Sequence, residues 1–290
     1  MRELEFVVPE SFEGAKLKHF LRGPCKISNK LMTRQKLVFN GILVNGVHAY
    51  VTKTIHTGDR VCLRFPDCEK EIEAVPIPLN IVWEDDDLLV INKPPFMPVY
   101  PTPGHDTDSL ANAVSAYYQA HGWKLGFYPI YRLDKNTSGL IVLAKHSYGA
   151  SVLAFGVEKE YIAICEGNLQ GEGTISAPIR LKKGHGIQRE VGEGEGAQHA
   201  VTHWKSVERY QNGHTLLNIH LETGRTHQIR VHFSHIGHPL AGDDMYGGSR
   251  ERISRQALAC GSVRFVHPVT QEQISLTCPL PEDMQTLLEK

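Results

Sequence analysis

The stretch Tyr131-Arg132-Leu133-Asp134-Lys135-Asn136-Thr137-Ser138-Gly139-Leu140-Ile141-Val142-Leu143-Ala144-Lys145 sets one carboxylate between two cations, passes through Thr-Ser-Gly and enters an apolar run. A polar turn that feeds such a run reads as a loop leading into a buried strand. With Arg132 and Lys135 on either side, Asp134 is expected to stay ionised, because nearby positive charge favours the anion. That is the state a nucleophile or base needs. Taken alone, the same residues also describe a salt-bridged loop aspartate.

Outward from this stretch, strand-like runs dominate from about residue 80: IVWEDD, LLVINK, GLIVLAK, YIAICEG, THWKSVERY, TLLNIHLE, VRFV and ISLTC. Helical patterns are few, at 109–121, 147–157 and 228–236, the last with Ile229, Phe233 and Ile236 on one face. Many strands with few helices between them predict an α+β fold with a mixed, largely antiparallel sheet. A second polar cluster, Leu221-Glu222-Thr223-Gly224-Arg225-Thr226-His227-Gln228-Ile229-Arg230-Val231-His232, is a turn opening a helix. It puts His227 and Arg230 one helical turn apart on the same side. Arg225 and Arg230 suit an anionic ligand or a catalytic carboxylate.

The whole chain has 290 residues, 31 Lys+Arg against 32 Asp+Glu and a formal charge of −1, a balance that at first disfavours a nucleic-acid partner. The balance is not uniform. Residues 1–70 carry 12 Lys+Arg and 7 Asp+Glu, or +5, which leaves 19 against 25, or −6, for the rest. Such asymmetry points to a charged partner for the first segment. The sign changes near EAVPIPLN (73–80), a Pro-containing linker. Helices are expected at 14–21 and 28–39, with Lys26, Lys30, Arg34 and Lys36 on or beside the second. A hairpin around Asn45-Gly46 and a strand in TGDRVCLRF follow. Two domains are therefore expected, 1–75 and 76–290.

Apolar runs such as 140–144 fall far short of the roughly 18 residues a membrane span requires. The opening MRELEFVVPE lacks a secretory apolar core. Cysteines 25, 62, 68, 165, 260 and 278 form no CxxC pair. Reduced, mostly buried thiols in a cytoplasmic protein are expected. The chain has 16 histidines, including His199 with His203 and His232, His235 and His238, but 197–210 reads as a strand and no HExxH helix occurs. No metal is expected. The GEGEG stretch (192–196) carries phosphate-repelling Glu193 and Glu195, follows no clear strand and opens no helix. It is expected to be a flexible surface loop, with no nucleotide cofactor. No GxSxG-like elbow anchors a hydrolase triad.

YRLDKNTSGLIVLAK is similar to the RLDxxTSGL signature of pseudouridine synthases, KEYIAICEG to their KxYxA segment, and LETGRTHQIRVHFSHIGHPLAGDDMYG to their TGRTHQIRVH block. NKPPFMPVYP resembles the first motif and VRFVHPVT with CPLPEDM the closing one. Over about 80–285 the chain thus resembles the RluA family of RNA pseudouridine synthases. Residues 12–65 resemble the small RNA-binding domain named after ribosomal protein S4. Two departures are Tyr131, where the family most often has His, and Ala259, near which a His is often found. Altered RNA contacts or substrate preference are expected from them.

The resemblance implies conversion of specific uridines in RNA to pseudouridine without any cofactor. It implies Asp134 as the catalytic carboxylate, attacking the anomeric carbon or removing the ribose 2′ proton, Arg230 as its partner, and Tyr161 against the target base. It implies Arg132 at the point of base extrusion, with Tyr131 as a stacking surface, Ile229 as part of the apolar pocket wall, and Arg225 and His227 as further substrate contacts. Lys30 and Arg34 would hold phosphates. Large-subunit ribosomal RNA is the expected target and transfer RNA the alternative, with the protein a monomer. The competing readings are a non-catalytic RNA-binding protein with a decayed synthase domain, and a metal-dependent hydrolase.

Overall fold

The computed structural model describes residues 1–66 and 72–289. Cys68 therefore lies outside the described residues, and Cys25, Cys62, Cys165, Cys260 and Cys278 are free thiols. No helix among the described residues is long and apolar enough to cross a membrane.

The chain opens with β1 (Arg2–Val7), α1 (Leu17–Arg22), α2 (Asn29–Gln35), β2 (Ile42–Val44), β3 (Val47–His48) and β4 (Arg60–Phe65). The four strands form one sheet in the order β1-β4-β2-β3. Both helices are shorter than their sequence patterns. Ser28 caps α2 by accepting from the Leu31 N–H, but the helix stops at Gln35, whose side chain donates to the carbonyls of Gly41 and Arg64. The β2–β3 hairpin turns on Asn45 and Gly46, with φ of 52° and 78°, the left-handed pair that a two-residue hairpin demands. Strand β1 was not anticipated. Only Leu4 along it is buried, and its three glutamate and arginine neighbours mask the alternation.

The remainder contains β5 (Ile81–Glu84), β6 (Leu88–Lys93), α3 (Leu110–Ala120), β7 (Tyr128–Pro129), β8 (Ser138–Ala144), α4 (Ser147–Leu153) and β9 (Val157–Glu166). It continues through β10 (Glu172–Ser176), β11 (Ile179–Leu181), β12 (Arg189–Val191), β13 (Val201–Arg209), β14 (His214–Leu221), α5 (Gln228–His235), β15 (Leu258–Val266), β16 (Gln273–Thr277) and α6 (Glu282–Leu288). Among the described residues, a 10-stranded sheet runs β10-β13-β14-β9-β15-β8-β6-β5, with β16 beside β15 and β7 beside β8. Every residue of β8 is buried, as its continuous apolar sequence demands of a strand covered on both faces. The fold is the expected α+β arrangement with a mixed, mostly antiparallel sheet.

One seam in this sheet matters for function. Strands β8 and β15 pair in parallel through Ser138 with Ala259 and Gly139 with Cys260, after which β15 leaves β8 and pairs with β16 instead. Gly139 sits at φ 106°, and a Cβ there would press into the Cys260 backbone, so only glycine permits this approach. The loop carrying Asp134 is thereby delivered to the point where the two halves of the sheet meet.

Three further sequence expectations change. Helix α4 ends at Leu153 rather than near 157, because Gly156 and Val157 already turn into β9. The GEGEG stretch does follow a strand, β12, and is anchored by Arg180 donating to the Glu193 carbonyl, though it opens no helix. Ala259, one of the two departures from the RluA pattern, is buried in a cluster with Ile164, Ala241, Ile253, Met284 and Leu287.

Candidate active site

Asp134 lies in the loop before β8 with 28% of its side chain exposed, on the floor of a cleft of about 870 Å³. Its Oδ2 accepts from Arg230 Nη1 at 3.2 Å. Arg230 comes from the first turn of α5, and its other edge makes a bidentate pair with Asp243 at 2.7 and 2.8 Å. Burial opposes a charged guanidinium, and the two carboxylates more than offset it, so Arg230 remains a cation. The cation beside Asp134 is thus Arg230. Lys135 turns away and its Nζ reaches His105 Nε2 at 2.8 Å. Successive residues of an extended loop diverge, so neighbours in sequence were a poor guide to neighbours in space.

His227 also reaches the carboxylate, with Nε2 at 3.9 Å from Asp134 Oδ2. Its backbone is left-handed, φ 58°, a conformation that costs a histidine about 1 kcal/mol or more. Gln228 fixes that turn. Its Oε1 accepts from Thr223 Oγ1 and the Arg225 N–H, while Nε2 donates to Val201 O and Thr202 Oγ1. The Tyr246 hydroxyl accepts from the Arg189 N–H and meets His227 Nδ1 at 2.8 Å. The Tyr246 contact at Nδ1 turns the other ring nitrogen, Nε2, toward Asp134. Burial, and then the Arg230 charge acting against that of Asp134, leaves the His227 pKa below its ordinary value, so the ring is neutral at pH 7.

The apolar wall is built from Leu133, Tyr161, Ile229 and Leu258. Burial raises the Tyr161 pKa well above the usual phenol value and keeps it neutral. Tyr131 lines the cleft. Its hydroxyl donates to the Leu140 carbonyl at 2.8 Å, and Lys159 Nζ sits 4.9 Å over its ring. Arg132 and Arg225 are exposed at the cleft, and Arg225 Nε donates to the His199 carbonyl. Lys30 and Arg34 are exposed on α2 and do not line this cleft.

Several residues that shape the site had been assigned no role. Asp243 and Tyr246 belong to the GDDMYG run. Gly242 before them has φ 78° and leaves no room for a Cβ against the Arg255 carbonyl, which sets where Asp243 can stand. Lys93 is fully buried and donates to the carbonyls of Pro94, Met97 and Lys135, tying the strand β6 exit to the Asp134 loop. Burial, and then the Arg255 charge, lowers its pKa to about 7. A polar NKPP at the end of an apolar strand was the available signal.

Three histidines of the clusters seen in the sequence bond to the protein's own groups. His232 contacts Thr202 Oγ1 and the Ala177 carbonyl, His203 contacts Thr174 Oγ1 and Glu222, and His238 contacts the Glu166 carbonyl.

The RNA pseudouridylate synthase family profile matches residues 87–235. The chain is 39% identical over 275 residues to the uncharacterized RNA pseudouridine synthase YjbO of Bacillus subtilis, covering 92% of this chain and 96% of that one. It is 36% identical over 313 residues to the ribosomal large subunit pseudouridine synthase D of Salmonella typhimurium, covering 99% and 94%. Among solved structures, human RNA pseudouridylate synthase domain containing 1 superposes with a TM-score of 0.57 at 27% identity, over 70% of this chain and 83% of that one. With its motifs, its sheet and these relatives in agreement, the chain belongs to the RNA pseudouridylate synthase family, of the RluA kind, and is an isomerase that converts uridine to pseudouridine in RNA.

Proposed function

We propose that the chain isomerises uridines of large-subunit ribosomal RNA through Asp134. The observation that carries this reading is one ionic chain, Asp243–Arg230–Asp134, whose inner carboxylate is buried and whose outer one opens into the cleft. Arg230 holds the Asp134 rotamer and its charge, and Asp243 holds Arg230. Asp134 then acts on the bound uridine either at the anomeric carbon or at the 2′ proton. The bond from N1 to the anomeric carbon breaks as Asp134 bonds that carbon or takes the 2′ proton. The base turns, and carbon 5 bonds to the anomeric carbon as Asp134 is released or returns the proton. Carbon 5 then loses its proton and N1 gains one. Atoms and electrons balance within the substrate, so no redox partner is called for.

The other roles follow from position. Tyr161 and Ile229 present the apolar wall against which the target base lies. Arg132, with Tyr131 as part of the wall behind it, meets the RNA where the base leaves its stack, a step costing a few kcal/mol. His227 and Arg225 contact the ribose and phosphate. Residues 1–75 form an S4-like RNA-binding domain with Lys30 and Arg34 on its exposed helix, and residues 76–290 the catalytic domain. The ribosomal target is favoured by the large-subunit synthase among the relatives, which matches nearly the full length of both chains.

The test is to incubate the protein with unmodified ribosomal and transfer RNA and map new pseudouridines. Conversion at defined sites of the large-subunit RNA is expected. Conversion confined to transfer RNA would move the target, and binding without conversion of any RNA would favour a decayed, non-catalytic domain.

A further inference from the structure

The turn between α4 and β9 carries Phe155 with its ring wholly in solvent. One exposed aromatic is unremarkable by itself. Phe155, however, borders a second groove of about 500 Å³, lined also by Ile130, Leu153, Lys159, His220 and Glu222. This groove shares Ile130, Tyr131, Lys159, Leu221 and Glu222 with the Asp134 cleft, so the two adjoin along that wall. Lys159 stands at the join, its Nζ over the Tyr131 ring and bonded to the Val157 carbonyl at 2.7 Å. On the far side, α4 touches the basic helix α2, where Ser151 Oγ meets Ser28 Oγ at 3.0 Å.

The charges here select what can enter. Glu158 and Glu222 border the groove, and a phosphate laid against them would be repelled. A nucleobase is neutral, with apolar faces and polar edges. It matches an open phenyl platform flanked by a lysine, a histidine and carboxylates. We propose that this groove is a subsite for an unpaired base of the substrate RNA, on a nucleotide flanking the target uridine, stacked on Phe155. The proposal rests on the reading of the Asp134 cleft as the place where that uridine binds.

The test uses the full chain and an in vitro transcript of large-subunit ribosomal RNA, with Phe155→Ala and Phe155→Trp. The ring touches solvent alone, so both variants should fold, which their denaturation midpoints verify. Phe155→Ala is expected to raise Kd and KM about tenfold. The slope of log affinity against log salt should not change, because no phosphate contact is lost. Phe155→Trp should restore affinity, and its added emission should be quenched on binding. Unchanged Kd in Phe155→Ala, alongside normal conversion, overturns the subsite and leaves the activity reading intact, with the ring free for a protein partner. A tenfold loss of affinity in a protein that converts none of this RNA supports the subsite and overturns the target assignment instead.

Discussion

Two carboxylates in this molecule are each held by an arginine and a histidine, and they differ in access. Asp134 has Arg230 and His227 within 3.2 and 3.9 Å and keeps 28% of its side chain exposed. Asp87 accepts from Arg2 at 2.8 and 3.1 Å and from His146 at 2.9 Å, with only 4% exposed. Asp87 lies where the small sheet meets the large one, beneath the stacked rings of Phe65, His146 and Tyr148. Three hydrogen bonds from the protein hold it. Asp134 has one firm partner, a distant histidine and an open side. The same chemical parts make a fastener in one place and, on the proposed reading, a reactive group in the other, and the difference is how many hydrogen bonds are left for a substrate to make.

The comparison can be broken most severely at Asp243. Replacing it with alanine leaves Arg230 buried with Asp134 as its remaining carboxylate. A stability loss of about 3–5 kcal/mol is expected by denaturant titration, with a fall in kcat because Asp134 is drawn inward. An unaltered kcat would mean that Asp243 does not hold the reactive carboxylate in place.

Arg2→Ala should cost about 1–3 kcal/mol, since it strips Asp87 of two bonds, while kcat on RNA stays at its original value. Burial alone would raise the Asp87 pKa, and the hydrogen bonds from His146 and Arg2 outweigh it and lower it. The folded value lies below the unfolded one. The contribution is therefore complete above about pH 4 and is lost as pH falls through the lowered value. Acid unfolding followed by circular dichroism should begin at higher pH in the Arg2 variant.

Tyr246→Phe removes the hydrogen bond that holds the His227 ring. A loss of about 1 kcal/mol in kcat/KM is expected. In the parent protein His227 is neutral, so its protonation should limit activity only below about pH 6.5. An acid limb above that pH would contradict the assignment. The smallest effect on chemistry belongs to Lys30→Ala with Arg34→Ala, which should weaken RNA binding, flatten the salt slope by about 1.4 and leave kcat alone.

The strand entry at 131–145, the turn at 221–232 and the α+β architecture were legible because each rests on local patterning. Apolar period, turn residues and motif spacing lie along the chain. Partnerships across the chain were less legible. The sequence places Arg132 and Lys135 beside Asp134, whereas the fold brings Arg230 there and sends Lys135 to His105. Asp243 lies thirteen residues from Arg230 in an acidic Asp-Asp pair, and only the Gly242 turn selects which of the two faces inward. The Arg2–Asp87 pair, 85 residues apart, gave no signal along the chain at all. The Tyr131 hydroxyl likewise finds a partner that spacing did not suggest, the Leu140 carbonyl nine residues on.

The most direct measurement compares Asp134→Asn with Asp87→Asn for two quantities, pseudouridine formed in a single turnover and the free energy of unfolding. Asp134→Asn should lower the rate by at least about 10³-fold, the scale on which enzymes respond to loss of a reacting group, with RNA affinity and stability little changed. Asp87→Asn should destabilise the fold and leave the rate on folded protein unchanged. A rate retained in Asp134→Asn, or a rate abolished equally by both substitutions, would contradict the claim that the open carboxylate is the one that reacts.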